Sequence, residues 1–451
     1  MTPQTLSADY LIVGAGAMGM AFVDELLTQR PDDRVILVDK HAKPGGHWND
    51  AYPFVSLHQP AAYYGVNSEK LGTGGAYLAS GVEVLSYFER VLTKWVSTGR
   101  LQYFPMCEYR GDGVFVSTVA PDLEYEVAVG KKTVDATYMK VEVPSVRAPS
   151  YPVAEDISLV PPNALPSIRE PRSEYVVIGA GKTGMDAVLF LLNSGVDPDL
   201  IRWIMPNDAW LLDRAQIQPG RMTVDGPSAQ LENFASSNTL GELYRSLEAD
   251  ERILRLDKEV WPTKYRCATV SLEELDQLRS IREVVRLGRV ERIDSDSIVL
   301  EHGKLPTDAS VLHIDCTADG LAKRPVRPVF EGRDITLQSL FICQQVFSAA
   351  VIAYVETRFD DDKLKNEMCQ AVPHPELPRD IVAGMSVSLA NIDNWTRKFG
   401  IWLRGSRLFM AHHESLIKLL WFGFKTRKLL PEAVEKMSGI LEKEFPTPSA
   451  E

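Results

Sequence analysis

The chain begins with an apolar tetrad, Tyr10-Leu11-Ile12-Val13, that gives way to Gly14-Ala15-Gly16-Ala17-Met18-Gly19 and then to a largely apolar run over residues 20–27. That order predicts a buried strand, a tight glycine turn and a helix, and the next tetrad, Val35-Ile36-Leu37-Val38, predicts a second buried strand ending at Asp39. The pattern returns once. Tyr175-Val176-Val177-Ile178 leads into Gly179-Ala180-Gly181-Lys182-Thr183-Gly184, a helix over 185–193 and a strand over 201–205. Between the copies, residues 82–96 have the spacing of an amphipathic helix, and 114–119 and 125–129 alternate as strands that lead to 133–138. The proline-rich stretch 144–166 predicts a linker between domains. Beyond the second copy, 297–300, 310–315 and 340–343 predict strands, 347–356 an apolar helix, and the chain from about 393 onward further helices.

Bulk properties narrow this picture. A length of 451 residues exceeds what one core usually serves, so two domains, or one interrupted by another, are expected. A formal charge of −12 argues against nucleic-acid binding, which needs a clustered basic surface. The five cysteines are odd in number, scattered and never in a C-x-x-C pair, which argues against a disulfide framework, a zinc knuckle and a thioredoxin-type pair. Redox chemistry would then come from a bound cofactor. There is no apolar run of membrane-spanning length, and residues 1–8 are too short and polar for a signal peptide, so a cytoplasmic protein without a transmembrane segment is expected. His412-His413 are adjacent on an expected helix and so do not share a face, and no metal site is expected.

The glycine spacing carries the first chemistry. In such a turn Gly14 makes the bend, Gly16 lets the backbone approach a pyrophosphate and Gly19 lets helix pack on strand, with Ala17 and Met18 in the helix turn facing the anion. Asp39, with Lys40 beside it, stands about twenty residues on, where an acid meets a ribose hydroxyl and repels a 2′-phosphate. The first site should therefore hold FAD or NAD; the alternative is a purely structural turn. Gly179, Gly181 and Gly184 repeat the arrangement with Lys182 and Thr183 inside the loop, and Asn207 and Asp208 lie at the second strand's tip. No arginine stands at that tip, although Arg202 and Arg214 are near in sequence, so NADPH and NADH both remain open, as does a fold that no longer binds nucleotide.

Gly45-Gly46-His47-Trp48 and Tyr52-Pro53 place aromatic rings in an expected loop, which alone reads as a small satellite core. Together with "GAGAMG" at 14–19, Asp39, "VDAT" at 134–137 and "GAGKTGMD" at 179–186, they make the chain resemble the FAD-dependent, NAD(P)H-using single-component flavin monooxygenases. That group comprises the flavin-containing monooxygenases, N-hydroxylases and Baeyer–Villiger enzymes. The resemblance covers roughly residues 8–215 and resumes through "DCTADG" at 315–320 and "FSAAVIAYVE" at 347–356.

The resemblance implies an α/β fold of two Rossmann-type domains: an FAD domain at 1–166 and 310–385, an inserted NAD(P) domain at 167–309, and a helical C-terminal extension at 386–451. It implies that Gly46, His47, Trp48, Tyr52 and Thr137 belong to the FAD site. His58 and Gln59 would face the flavin's reactive edge as catalytic candidates, the alternative for His58 being a solvated or capping residue. The N-terminus of the helix over 347–356, with Gln344, Gln345 and Ser348, would face the flavin pyrimidine. The implied function is insertion of one oxygen atom from molecular oxygen into a small organic substrate through a flavin hydroperoxide, with FAD and NADPH or NADH as cofactors. The alternative is a flavin-dependent dehydrogenase, reductase or oxidase without oxygen insertion. The family pattern is departed from at Tyr138, where glycine is usual, and over 150–169, which lacks both glycine and histidine. The segment 416–428 is basic and amphipathic and could meet a membrane, a partner subunit or the substrate pocket, or close its own domain; a homodimer through the C-terminal helices is possible.

Overall fold

The computed structural model describes residues 3–219, 225–318, 320–321, 324–412 and 414–445. Two large sheets organise it, the first mixed and the second wholly parallel. The first is eight-stranded, with Gln4–Val13 paired in parallel to Val35–Val38 on one side and Glu124–Asp135 on the other. Leu101–Phe104 extends it beyond Val35–Val38, and Asp334–Thr336 extends it beyond Glu124–Asp135. The second sheet runs Glu283–Val285, Ile201–Ile204, Tyr175–Ile178, Leu312–Asp315, Ser158–Val160, all parallel. Every residue of Val35–Val38, Tyr175–Ile178, Ile201–Ile204 and Leu312–Asp315 is buried, as parallel strands covered on both faces require.

Eleven helices surround these sheets among the described residues: α1 Ala17–Gln29, α2 Gly81–Ser97, α3 Lys182–Asn193, α4 Asp225–Ser236, α5 Leu240–Ala249, α6 Leu272–Arg279, α7 Gln345–Arg358, α8 Asp362–Met368, α9 Pro378–Gly405, α10 Leu416–Thr426 and α11 Leu429–Glu444. The first core joins α1, α2, α7 and α9 to the first sheet through residues such as Phe22, Phe88, Phe347 and Trp395. α3 and α6 cover the second sheet around Trp203 and Leu278. A third core gathers Trp210, Tyr244, Val382 and Met437, tying the C-terminal helices to the strands Ala209–Asp213 and Lys264–Val270.

Several expectations need correction. Ser158–Val160 lies in the supposed linker, yet it pairs with Leu312–Asp315, which itself lies beside Tyr175–Ile178. The expected divisions at 166/167 and 309/310 therefore fall inside one sheet, because both flanking segments supply strands to it. The helical region begins at Pro378 rather than near 393, so the division at 385/386 falls inside α9. Residues 340–343 form no strand, since the Leu340 amide donates to Ser348 Oγ (2.9 Å) and the Ile342 amide to Ser388 Oγ (3.2 Å) instead of to a ladder. Cys267 and Cys343 are paired in a disulfide, Cα atoms 6.6 Å apart, although nothing in their spacing of 76 residues announced it. Cys107, Cys316 and Cys369 are free and buried.

Candidate functional site

Each glycine loop sits at the C-terminal end of its sheet's central strand, and the two are built alike. A Cβ on Gly19 would lie 2.0 Å from the Gly14 carbonyl oxygen, and one on Gly184 would lie 2.1 Å from that of Gly179. Only glycine allows helix and strand to approach so closely. α1 and α3 then start at Gly16 and Gly181 with no capping side chain and no acid in the first turn. α2, α5, α6, α8 and α10, by contrast, are each capped by Ser, Thr or Asp. The first-turn amides of α1 and α3 are thus donors that the chain does not satisfy with its own side chains, aimed where an anion would be held.

Asp39 is buried at the tip of Val35–Val38. Its Oδ2 accepts from the Ala15 amide (2.6 Å), and its Oδ1 from the His41 amide (2.7 Å) and His41 Nδ1 (2.9 Å). A carboxylate oxygen accepts two bonds, so Oδ2 keeps an acceptor position beside the glycine turn. His41, overlooked in the sequence, also reaches Asp50 Oδ2 through Nε2 (2.9 Å); hydrogen bonding to Asp39 raises its pKa against the opposing effect of burial. Lys40 is exposed. Gly46 lies over the turn, since a Cβ on it would come 3.0 Å from the Gly16 Cα. Thr137 donates to Asp135 Oδ1 (2.7 Å) and rests its methyl over Gly14. Ala17 and the buried Met18 lie in the first turn of α1.

The aromatic loop divides into two roles. Trp48 belongs to the first core, donating Nε1–H to Tyr64 OH (2.7 Å) with His47 stacked on it. The indole is therefore part of the first core itself rather than of a small satellite core, and it backs the loop. Burial lowers the His47 pKa to about 4. Tyr52 faces the other way and donates to Asp186 Oδ2 (2.5 Å), one turn into α3, while Phe54 stacks on Phe190 at 4.2 Å between centroids. The loop is thus the seam between the two sheets.

Along that seam lies a cavity of about 820 Å³. Its wall includes Gly179, Gly181, Lys182 and Thr183 of the second loop, Asn207 at the strand tip, Tyr138, and His58. Lys182 also pairs with Asp186. Arg147, Lys182, Lys264, Arg266, Arg289 and Arg324 line it, against two carboxylates, Glu142 and Glu376. Burial alone would raise the Glu376 carboxyl, but hydrogen bonds from Arg266 (2.7 Å) and Lys264 (2.9 Å) outweigh it and hold the pKa at about 2. The wall is therefore net cationic. Tyr138, unusual for the family pattern, donates to the Pro325 carbonyl (2.7 Å) and carries the Arg327 guanidinium 4.2 Å above its ring.

His58 is held by its backbone: Arg214 Nε donates to its carbonyl (3.1 Å), and Arg214 is fixed by Glu274 Oε2 (2.6 Å). Burial, with Lys182 and Arg214 nearby, pushes the imidazole pKa down to about 3, so the ring is neutral at physiological pH. Gln59 Oε1 accepts from Gln344 Nε2 (3.3 Å) at the uncapped N-terminus of α7. His58 Nδ1, Gln344 Oε1 and both amide atoms of Gln345 are shielded from solvent without a partner among the described residues. Burying such atoms unpaired costs about 1–3 kcal/mol each, so this corner has the capacity to bond a polar group or water.

Asp208 is a correction. It is buried against Arg286, which donates to it through Nε (2.8 Å) and an Nη (3.1 Å), and it does not line the cavity. Arg202 is likewise committed, to Glu283 and Glu174. Cations that share the cavity wall with Asn207 come from distant segments, Lys264, Arg266 and Arg289, which no local motif could reveal. Asp319 and His413 lie outside the described residues.

No protein-family model matches the chain. "Uncharacterized protein Rv2000" of Mycobacterium tuberculosis (strain ATCC 25618 / H37Rv) and "Uncharacterized protein Mb2023" of Mycobacterium bovis are each 47% identical to it over 422 residues, covering 90% of this chain and 78% of theirs. Among solved structures, the polycyclic ketone monooxygenase of Thermothelomyces thermophila is similar with a TM-score of 0.52 and 12% identity, over 100% of this chain and 90% of that one. Cyclohexanone monooxygenase from Rhodococcus sp. Phi1, bound to NADP+, gives 0.50 and 13% over 98% of both chains. OTEMO in complex with FAD and NADP gives 0.50 and 14% over 79% and 84%. The fold is that of the flavin monooxygenases.

Proposed function

The chain belongs to one family with the Mycobacterium tuberculosis and Mycobacterium bovis proteins, and on its fold and cavity we propose that it is an FAD- and NADPH-dependent monooxygenase acting on a small organic substrate. The observation that carries the reading is that the second glycine loop and His58 line one cation-walled cavity. A nucleotide phosphate and a reacting centre can share that space.

The residues fit both cofactors. The α1 amides at Gly16, Ala17 and Met18 would hold the FAD pyrophosphate, Gly14 and Gly19 shape that turn, and Asp39 Oδ2 would accept from its ribose. Gly46 and Thr137 border the same turn. The α7 N-terminus and the unpartnered Gln345 amide suit the polar edge of a flavin ring. Gly179, Gly181, Lys182 and Thr183 would hold the nicotinamide nucleotide, with Asn207 and Arg289 at its adenosine end. Arg289 is exposed, and its guanidinium has no ion-pair partner among the described residues, which favours NADPH over NADH.

The bound flavin would supply the redox and oxygen-activating chemistry. The chain's own work is positioning and exclusion of water. Neutral His58 can donate or accept a hydrogen bond without bringing a charge to the reacting centre. Gln59 and Gln344 orient one another beside it, and the Arg214–Glu274 pair holds the His58 backbone. Tyr52 and Phe54 seal the seam against α3.

The deciding experiment measures NADPH oxidised, oxygen consumed, hydrogen peroxide released and oxygenated product formed over a panel of ketones, amines and sulfides. Product matching NADPH for one class supports the reading. Peroxide matching NADPH for every class, or reduction without oxygen uptake, replaces it with an oxidase or reductase.

A further inference from the structure

We propose that the basic helical end of the chain is a docking surface for an anionic phospholipid bilayer, an inference independent of the oxygenation reading. Between residues 397 and 428 the chain carries eight Lys or Arg residues and one acid, Glu414, although its formal charge is −12. Glu414 is buried. So is Arg407, whose guanidinium is spent on the carbonyls of Val66, Ala62 and Tyr64. The other seven cations are exposed, with Lys418, Lys425, Arg427 and Lys428 on or just after α10. Arg397 is paired with Asp393 one turn earlier, while Lys418 lies 3.8 Å from Glu414 and Lys425 3.5 Å from Glu232, loose pairs with solvent-exposed lysines that neutralise little of the remaining charge.

Large apolar side chains stand exposed among these charges. Ile417, Trp421 and Phe424, spaced four and three apart on one face of α10, are 80%, 51% and 81% exposed, and Ile401 near the end of α9 is 94% exposed. α10 packs on α4 and α11, and that face stays exposed among the described residues. Exposed aromatic and aliphatic residues flanked by lysines and arginines are the composition of a helix that lies in a membrane interface, its apolar face in the headgroup boundary and its cations on lipid phosphates. Charge selects this occupant over a second copy: in a two-fold dimer through the same face, each cation cluster would meet its own image. No described helix is long and apolar enough to cross a bilayer, so the contact is peripheral.

The test is flotation of the intact, cofactor-loaded protein with phosphatidylcholine vesicles and with mixed phosphatidylcholine–phosphatidylglycerol vesicles, at low and high salt. Binding is expected only to the mixed vesicles, falling steeply with salt. Each lysine removed, as in Lys425→Gln or Lys428→Gln, should weaken it about fivefold, and Ile417→Ser/Phe424→Ser should weaken it more than about tenfold. Unchanged thermal melting shows that a variant is folded; the lysine variants, which leave the apolar residues in place, test the proposal even if the serine pair is destabilised. Failure to float with anionic vesicles at low salt overturns the proposal. Binding indifferent to both sets of variants does so too, as does a dimer in sedimentation that Ile417→Ser/Phe424→Ser dissociates.

Discussion

Alanine at Gly19 and, separately, at Gly184 should divide the two cofactor sites from one another. In each position the new Cβ would meet a carbonyl oxygen at 2.0 or 2.1 Å, about 1 Å inside the closest approach that real Cβ atoms make, and that oxygen belongs to the backbone of the turn itself. The helix must therefore retreat from its strand by about that distance. Overpacking of this kind costs about 1–3 kcal/mol, or a few degrees in Tm for a protein of this size. The larger consequence is local, because the retreat pulls the first-turn amides of α1 or α3 off an anion held there. Losing one charge-assisted hydrogen bond costs about 1.5–3 kcal/mol, a ten- to hundredfold weakening. Gly19→Ala should purify with substoichiometric FAD. Gly184→Ala should keep its FAD and lose reduction by NADPH through a raised Kd. The assays are flavin content per chain and anaerobic reduction rate against NADPH concentration. If Gly184→Ala loses flavin while Gly19→Ala keeps it, the assignment of the loops is wrong. If neither variant changes either quantity, the loops bind no dinucleotide.

Arg289→Ala should raise the Kd for NADPH about ten- to hundredfold and leave NADH within about twofold, measured by anaerobic titration of flavin reduction; equal losses for both nucleotides would remove Arg289 from the adenosine end. His58 and His47 have folded pKa values of about 3 and 4 against an ordinary 6.5, so the unfolded chain takes up protons near pH 6.5 that the folded chain refuses. Stability is therefore fully present above pH 6.5 and declines as pH falls below it, by up to ~1.4 kcal/mol per pH unit for each ring. His58→Asn should flatten the fall of Tm between pH 6.5 and 5, above the range where most carboxylates titrate; an unchanged slope would place a solvated imidazole there. Burial raises the thiol pKa values of Cys107, Cys316 and Cys369, so the native protein should react slowly with thiol reagents. The denatured chain should show three thiols without reductant and five with it, and five without reductant would exclude the Cys267–Cys343 bond.

The elements legible in the sequence are those whose signal is local. Strand, glycine turn, helix, strand and acid lie within about thirty residues of one another, and the steric demand at Gly19 and Gly184 involves only the turn's own backbone, so the two Rossmann-type units and the place of Asp39 beside the first turn could be read directly. His58 and Gln59 could be singled out as candidates only through the family resemblance that the preceding aromatic loop helps to carry. Tertiary structure decided what depends on distant partners. Asp208 was claimed by Arg286, seventy-eight residues away, and so lost the role that its place at a strand tip suggested. Trp48 went to the core through Tyr64, while Tyr52, four residues on, went to α3. The cations that share the cavity wall with Asn207 come from a later strand and a later loop, and Cys343 found Cys267 across the third core. Periodicity records whether a position is buried, because burial repeats with the geometry of its own helix or strand. It carries no record of which remote side chain will be there to meet it, and a polar group's chemistry is set by that partner.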